Sequence, residues 1–307
     1  VMRTLSGASR GTTGGGGRTR GALPSLGLVA GLLTLAACSG GGGAGAGDDG
    51  FTVLTSSYPL EYVVREVGGS RVEVINLTAR GADSHATELT PRQVAALGGA
   101  DLVVHLSGLQ PGVDAALAQQ QPEHLLDAAP LADREGDPHV WLDPGRMATL
   151  AGQVADRLTE LDPSGASDHR AGARALVTEL RALDEEYAAA LAPCRGATLV
   201  TAHEAFGYLA DAYGLEQVGI AGIDPHVEPS PARLRDVVDV VEGRGVRTVF
   251  FEATTSPRVA GTLAEDLGVA TAVLHPVERV AEDETYPSLM RANLAALAAG
   301  LDCDGDG

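Results

Sequence analysis

The chain has 307 residues and a formal charge of -19 at neutral pH. That length suits one large or two medium domains. Such an acidic surface lacks the basic footprint that nucleic-acid binding demands and argues against a polybasic grip on anionic lipid.

Residues 1–37 read as a secretory leader. Arg3, Arg10, Arg18 and Arg20 form a positive region without an acid, and the apolar run "LGLVAGLLTLAAC" follows from Leu26 to Cys38. The run is short for a membrane span and has the form of a signal peptide. It closes on "LAAC", which resembles the lipobox of bacterial lipoproteins. That resemblance implies cleavage before Cys38 and lipidation of Cys38. The alternative is an ordinary secretory signal with a chance cysteine. Residues 38–50 are dominated by glycine after Cys38 and behave as a flexible tether.

From Phe51 short β-branched runs alternate with amphipathic stretches. "TVLTSS", "VEVINL", "DLVVHL" and "EHLLDA" read as strands, with helices between them. "TPRQVAALGGA" opens with Thr90 as N-cap and Pro91 at the first helical position. The middle of the chain is helical: Pro144 to Leu161, then a long helix within Pro163 to Pro193. Alternation resumes with strands "TLVTA", "EQVGI", "RTVFFE" and "ATAVL", and a last helix is predicted from about Pro287 to Gly300. Strands and helices alternating at this spacing predict an α/β fold with parallel sheets. The expected organisation is an N-terminal lobe over 51–162, a linking helix over 163–193, a C-terminal lobe over 194–303 and a tail over 304–307. Clefts form where lobes meet and at the carboxyl ends of parallel strands.

Cys194 and Cys303 remain once Cys38 is set aside. An even pair in an oxidising compartment predicts a disulfide. Two unrelated buried thiols are the alternative.

Eight histidines are present, and four have similar settings. His85 lies in "GADSHATELTP", after the second strand. His139 lies in "GDPHVWLDP", fenced by two Asp-Pro pairs, with the only tryptophan two residues on. His203 and His275 follow strands of the second lobe. Each proline fixes its own φ and drives its predecessor towards extended geometry, so the His139 loop is expected to be rigid. Neutral imidazole is a common ligand of zinc. A solvated loop position remains the plainer explanation of any one histidine alone. No HExxH or CxxC motif is present.

"GADSHATELTPRQVAAL", "DPHVWLDP", "TAHEAFGYLADAYGL", "EPSPARL" and "SPRVAGTLAEDLGV", in this order, resemble the metal-binding solute-binding proteins of ABC transporters. This is the zinc and manganese uptake group, periplasmic solute binding protein family nine. The resemblance covers nearly all of the chain from Phe51 to about Cys303. It implies two α/β lobes bridged by one long rigid helix, with a metal between them at the positions of His85, His139 and His203. The fourth position, often a carboxylate in the family, falls on His275 in this reading. His105 is the main rival. His226, in "GIDPHVEPSP", reads as a surface residue, and His124 and His169 as solvated. Trp141 is expected to pack beneath its loop. The His-rich insertion of many zinc relatives is missing before "DPHVW".

The resemblance further implies Zn2+ as cargo, an ABC permease as partner, a monomer anchored by lipid at the outer face of the cell membrane, and no enzymatic step. Manganese or iron is the runner-up cargo. Manganese relatives tend to place glutamate where this chain has His203, and Glu204 is adjacent. A zinc hydrolase would need an open coordination position and a positioned base. An adhesin role is a third possibility. An imidazole site predicts affinity falling below a pH of about 6.5.

Overall fold

The structure is a computed structural model that describes residues 51–252 and 258–303. The leader, Cys38, the tether and the tail lie outside the described residues.

The first sheet is built from β1 (Phe51–Thr55), α1 (Tyr58–Gly68), β2 (Val72–Asn76), α2 (Pro91–Leu97), β3 (Leu102–His105), α3 (Pro111–Gln120) and β4 (Leu125–Asp127). Its strands are all parallel, in the order β2-β1-β3-β4. α4 (Pro144–Leu161) and the 26-residue α5 (Ala166–Leu191) follow. The second half repeats the plan with β5 (Thr198–Thr201), α6 (Gly207–Tyr213), β6 (Glu216–Gly219), α7 (Pro231–Arg244), β7 (Thr248–Phe251), α8 (Arg258–Leu267), β8 (Ala270–Val273) and α9 (Tyr286–Gly300). Its parallel order is β6-β5-β7-β8. The chain therefore has two α/β lobes, as expected, joined by the long helix α5.

Local chemistry explains the helix starts. Thr90 accepts from the Gln93 N–H and Gln93 accepts from the Thr90 N–H, a reciprocal box that satisfies two otherwise orphaned donors. Asp143 caps α4 by accepting from the N–H groups of Gly145 and Arg146. Thus the second Asp-Pro pair of the His139 loop starts a helix.

Along α5, His169, Ala173, Leu176, Leu180, Leu183, Tyr187 and Leu191 are buried. Their three-and-four spacing makes one stripe that faces inward. α5 packs on α1 and α4 of the first half and on α6 and α9 of the second. Gly172 lets it approach α1: a Cβ there would stand 2.6 Å from the Glu66 carbonyl oxygen. One hydrophobic cluster runs from Val53 through Trp141 and Tyr187 to Tyr286, so the two lobes share a core. Smaller clusters back the outer faces of the two sheets.

Cys194 and Cys303 form a disulfide, with Cα atoms 5.0 Å apart and a sequence separation of 109. It ties the end of α9 to the end of the linking helix. Closing a loop of that length stabilises by about 5 kcal/mol at most in the chain-entropy account.

Candidate metal centre

In parallel sheets the loops at the carboxyl strand ends gather on one side. His85 leaves the loop after β2, His139 the segment after β4, and His203 the turn after β5. Their ring nitrogens meet, with one ligand atom from each residue lying within 4.8 Å of the others. Two histidines come from the first lobe and one from the second.

Glu278 adjoins two of these histidines. Its Oε1 lies 3.6 Å from His85 Nε2 and 3.5 Å from His139 Nε2, while the two Nε2 atoms are 3.1 Å apart. Tetrahedral zinc with bonds of about 2.0–2.1 Å places neighbouring donors about 3.3 Å apart. The triangle formed by His85, His139 and Glu278 already has nearly those edges. His203 Nε2 is buried and has no hydrogen-bond partner. Its Nε2 lone pair is thus free to face a metal ion beside the other two histidines.

Second partners fix the rings. Asp137 Oδ1 accepts from the His139 backbone N–H at 3.0 Å and from His139 Nδ1–H at 2.8 Å. Asp137 Oδ2 accepts from Arg134 Nε. His203 Nδ1–H donates to Glu252, which follows β7. Both rings therefore hold their protons on Nδ1 and turn Nε2 towards the centre, the arrangement that orients imidazole for a metal. The first Asp-Pro pair accordingly does more than stiffen the loop, because its aspartate holds the histidine.

Burial opposes a charge on His139, but Asp137, then Glu278, outweigh it and raise its pKa to about 9. Burial likewise works against the Glu278 carboxylate, yet His139 and His85 hold it well below the usual carboxylate range. Without metal, a proton on His139 Nε2 balances Glu278.

His275 does not join the cluster. Its backbone N–H donates to Asn293 Oδ1 and its carbonyl accepts from Asn293 Nδ2, both at 2.7 Å, which pins it beside α9. The chain then passes Pro276 and Val277, and Val277 sits at φ 61°. Left-handed geometry is a real outlier for a β-branched residue. The turn is held by Trp141 Nε1–H, which donates to the Pro276 carbonyl at 2.7 Å. Three residues beyond His275, the chain delivers Glu278 to the position expected for His275. A carboxylate in the same "HPVER" segment was the available signal.

The other histidines are elsewhere. His105 is buried, 3.8 Å from both Asp114 and Asp127. His124 lies beside Glu123. His169, expected to be solvated, is fully buried on the inner stripe of α5 near Asp162. His226 is more than half exposed and meets Asp83. Glu204 pairs with Arg233 at 2.8 Å, so His203 and not its neighbour joins the cluster. Trp141 is buried with its ring 5.2 Å from that of His139, as packing beneath the loop requires.

Residues 53–300 match the sequence family described as "Zinc-uptake complex component A periplasmic", ZnuA. The chain belongs to this family. Among ZnuA relatives, the "Zinc-binding lipoprotein AdcA" of Streptococcus pneumoniae is 31% identical over 301 residues, covering 89% of this chain and 60% of AdcA. The chain thus spans about three-fifths of that relative's length. The solved laminin binding protein Lmb of Streptococcus agalactiae, titled "A bifunctional protein with adhesin and metal transporting activity", superposes with a TM-score of 0.75 at 35% identity, covering 82% of this chain and 100% of Lmb. The Zn(II)-bound ZnuA-like domain of Streptococcus pneumoniae AdcA gives a TM-score of 0.72 at 32% identity, covering 82% of this chain and 99% of that domain. Among the described residues no helix is long and apolar enough to cross a membrane.

Proposed function

We propose that the protein is the extracytoplasmic zinc-binding component of an ABC metal uptake transporter. It captures Zn2+ between its lobes with His85, His139, His203 and Glu278 and delivers it to a membrane permease. One observation carries the reading: three imidazoles from both lobes converge within 4.8 Å of one another, and the Glu278 carboxylate stands 3.5–3.6 Å from two of them. The ZnuA family and its zinc-named relatives support it. Nitrogen-rich, four-donor sites favour zinc over manganese, which prefers more oxygen ligands. Four protein donors leave no coordination position for a hydrolytic water, so the work is reversible coordination without an enzymatic step. The protein acts as a monomer, tethered outside the cell by lipid on Cys38, and delivers its cargo from there.

A zinc titration followed across pH tests this reading. Zinc must displace the proton that His139 holds against Glu278. Below about 9, where that proton is bound, affinity is expected to fall by roughly tenfold per pH unit for this one group. Above that it levels off. This window lies higher than free imidazole would give, because Asp137 and Glu278 hold the proton. Zinc affinity that is flat from pH 6 to 8, or weaker than manganese affinity throughout, contradicts the proposal.

A further inference from the structure

Asp83 sits two residues before His85, and its two carboxylate oxygens do different things. Oδ1 accepts from the His85 backbone N–H at 2.9 Å, which fixes the loop that presents that histidine. Oδ2 reaches across to the second lobe. There it meets the guanidinium of Arg279 and His226 Nε2 at 3.0 Å. Arg279 directly follows Glu278. His226 is held in its own turn by an N–H donated to Asp224 Oδ1.

One side chain therefore joins the His85 loop of the first lobe to the Glu278 segment of the second. The cavity bounded by Asp83, His85, His203, Glu252, Glu278 and Arg279 measures only about 10 Å3. That is barely one water. Asp83 and Arg279 are part of that lining, at its partly exposed side.

We propose that the Asp83–Arg279 pair, braced by His226, is a latch across the mouth of the metal site that sets how fast the cargo leaves. The inference rests on the zinc-binding reading above. An ion pair between lobes is formed only when the lobes are closed. Removing it therefore acts on dissociation far more than on association, as most changes at an interface do. Asp83 and Arg279 are positioning residues: they reach the ion only through His85 and Glu278. The pair is only partly buried, so salt should weaken it.

The test uses the single tryptophan, Trp141, which lies against His139, as the reporter of zinc loss to excess chelator in stopped flow. The variants are Asp83→Asn, Arg279→Gln, Arg279→Lys, His226→Ala and the double variant Asp83→Asn/Arg279→Gln. Asp83→Asn keeps an acceptor for the His85 N–H while removing the charge. Dissociation is expected to quicken by about tenfold or more in Asp83→Asn and in Arg279→Gln, with association nearly unchanged. The double variant should be no faster than the faster single. Arg279→Lys should recover part of the loss, His226→Ala should have a smaller effect, and salt should speed release in wild type more than in Asp83→Asn. Wild type that binds zinc while Asp83→Asn and Arg279→Gln release it at the wild-type rate overturns the latch. So does slower association with unchanged dissociation. Wild type that fails to bind zinc overturns the underlying zinc reading instead. Thermal unfolding of each metal-free variant, unchanged from wild type, is expected. A collapse there that Arg279→Lys fails to relieve would mean a structural role and overturn the latch.

Discussion

His139→Ala is expected to lower zinc affinity by more than any other single change. The ring is fully buried, its Nε2 lies 3.1 Å from that of His85, and it faces Glu278. Its removal takes away a metal donor and one partner of each of two buried carboxylates, leaving Asp137 with Arg134 and Glu278 with His85. Loss of a supporting partner typically costs about 10–100-fold in metal affinity. Asp137→Ala should fall in that range, because the ring would remain but lose its orientation. His139→Ala should exceed it, and a nitrogen donor in place of two buried carboxylates' partner cannot be recruited from Trp141, whose N–H is committed to Pro276. Isothermal titration with a competing chelator measures the series. An affinity for zinc in His139→Ala within tenfold of wild type would refute the role assigned to this histidine.

Glu278→Ala is expected to have the second-largest effect, and His275→Ala almost none. These two residues separate the structure from the strand-end expectation. Glu278 supplies a carboxylate at 3.5–3.6 Å from two of the histidines, and the metal-free site keeps it ionised against the penalty of burial. Glu278→Ala should cost more than the roughly 100-fold upper range for a supporting residue. It should also release the proton of His139 at lower pH, since one of the two acids that hold it is gone. His275 contributes its backbone to Asn293 and sits outside the cluster. Comparison of the two variants by the same titration decides the matter. Equal losses in both, or a loss confined to His275→Ala, would restore the imidazole-only site.

Much of this centre is legible in the sequence for a physical reason. Parallel strands announce themselves by β-branched runs between helices, and their carboxyl ends collect on one side. That gathers His85, His139, His203 and His275 on one side, and it is the family resemblance, carried by the motif order, that singles out the first three. Glu278 was missed because strand-end placement gives the position of a backbone, not the direction the chain takes next. Nothing in a valine signals φ 61°, and it is the Val277 turn, held by Trp141, that carries the chain to the centre. His169 is a different case. Its burial was readable, because it starts the three-and-four stripe that continues through Ala173, Leu176 and Leu180. Asp83 and Arg279, 196 residues apart, are paired only where the two lobes meet. No local pattern records such a pair.

The central claim is that zinc is held by three imidazoles and one carboxylate drawn from both lobes. Anomalous diffraction at the zinc edge from crystals of the zinc-loaded protein tests it most directly. A single ion is expected between the lobes, bound by Nε2 of His85, His139 and His203 and by Glu278. An ion bound by His275 or His105, or by histidines of one lobe alone, would contradict it.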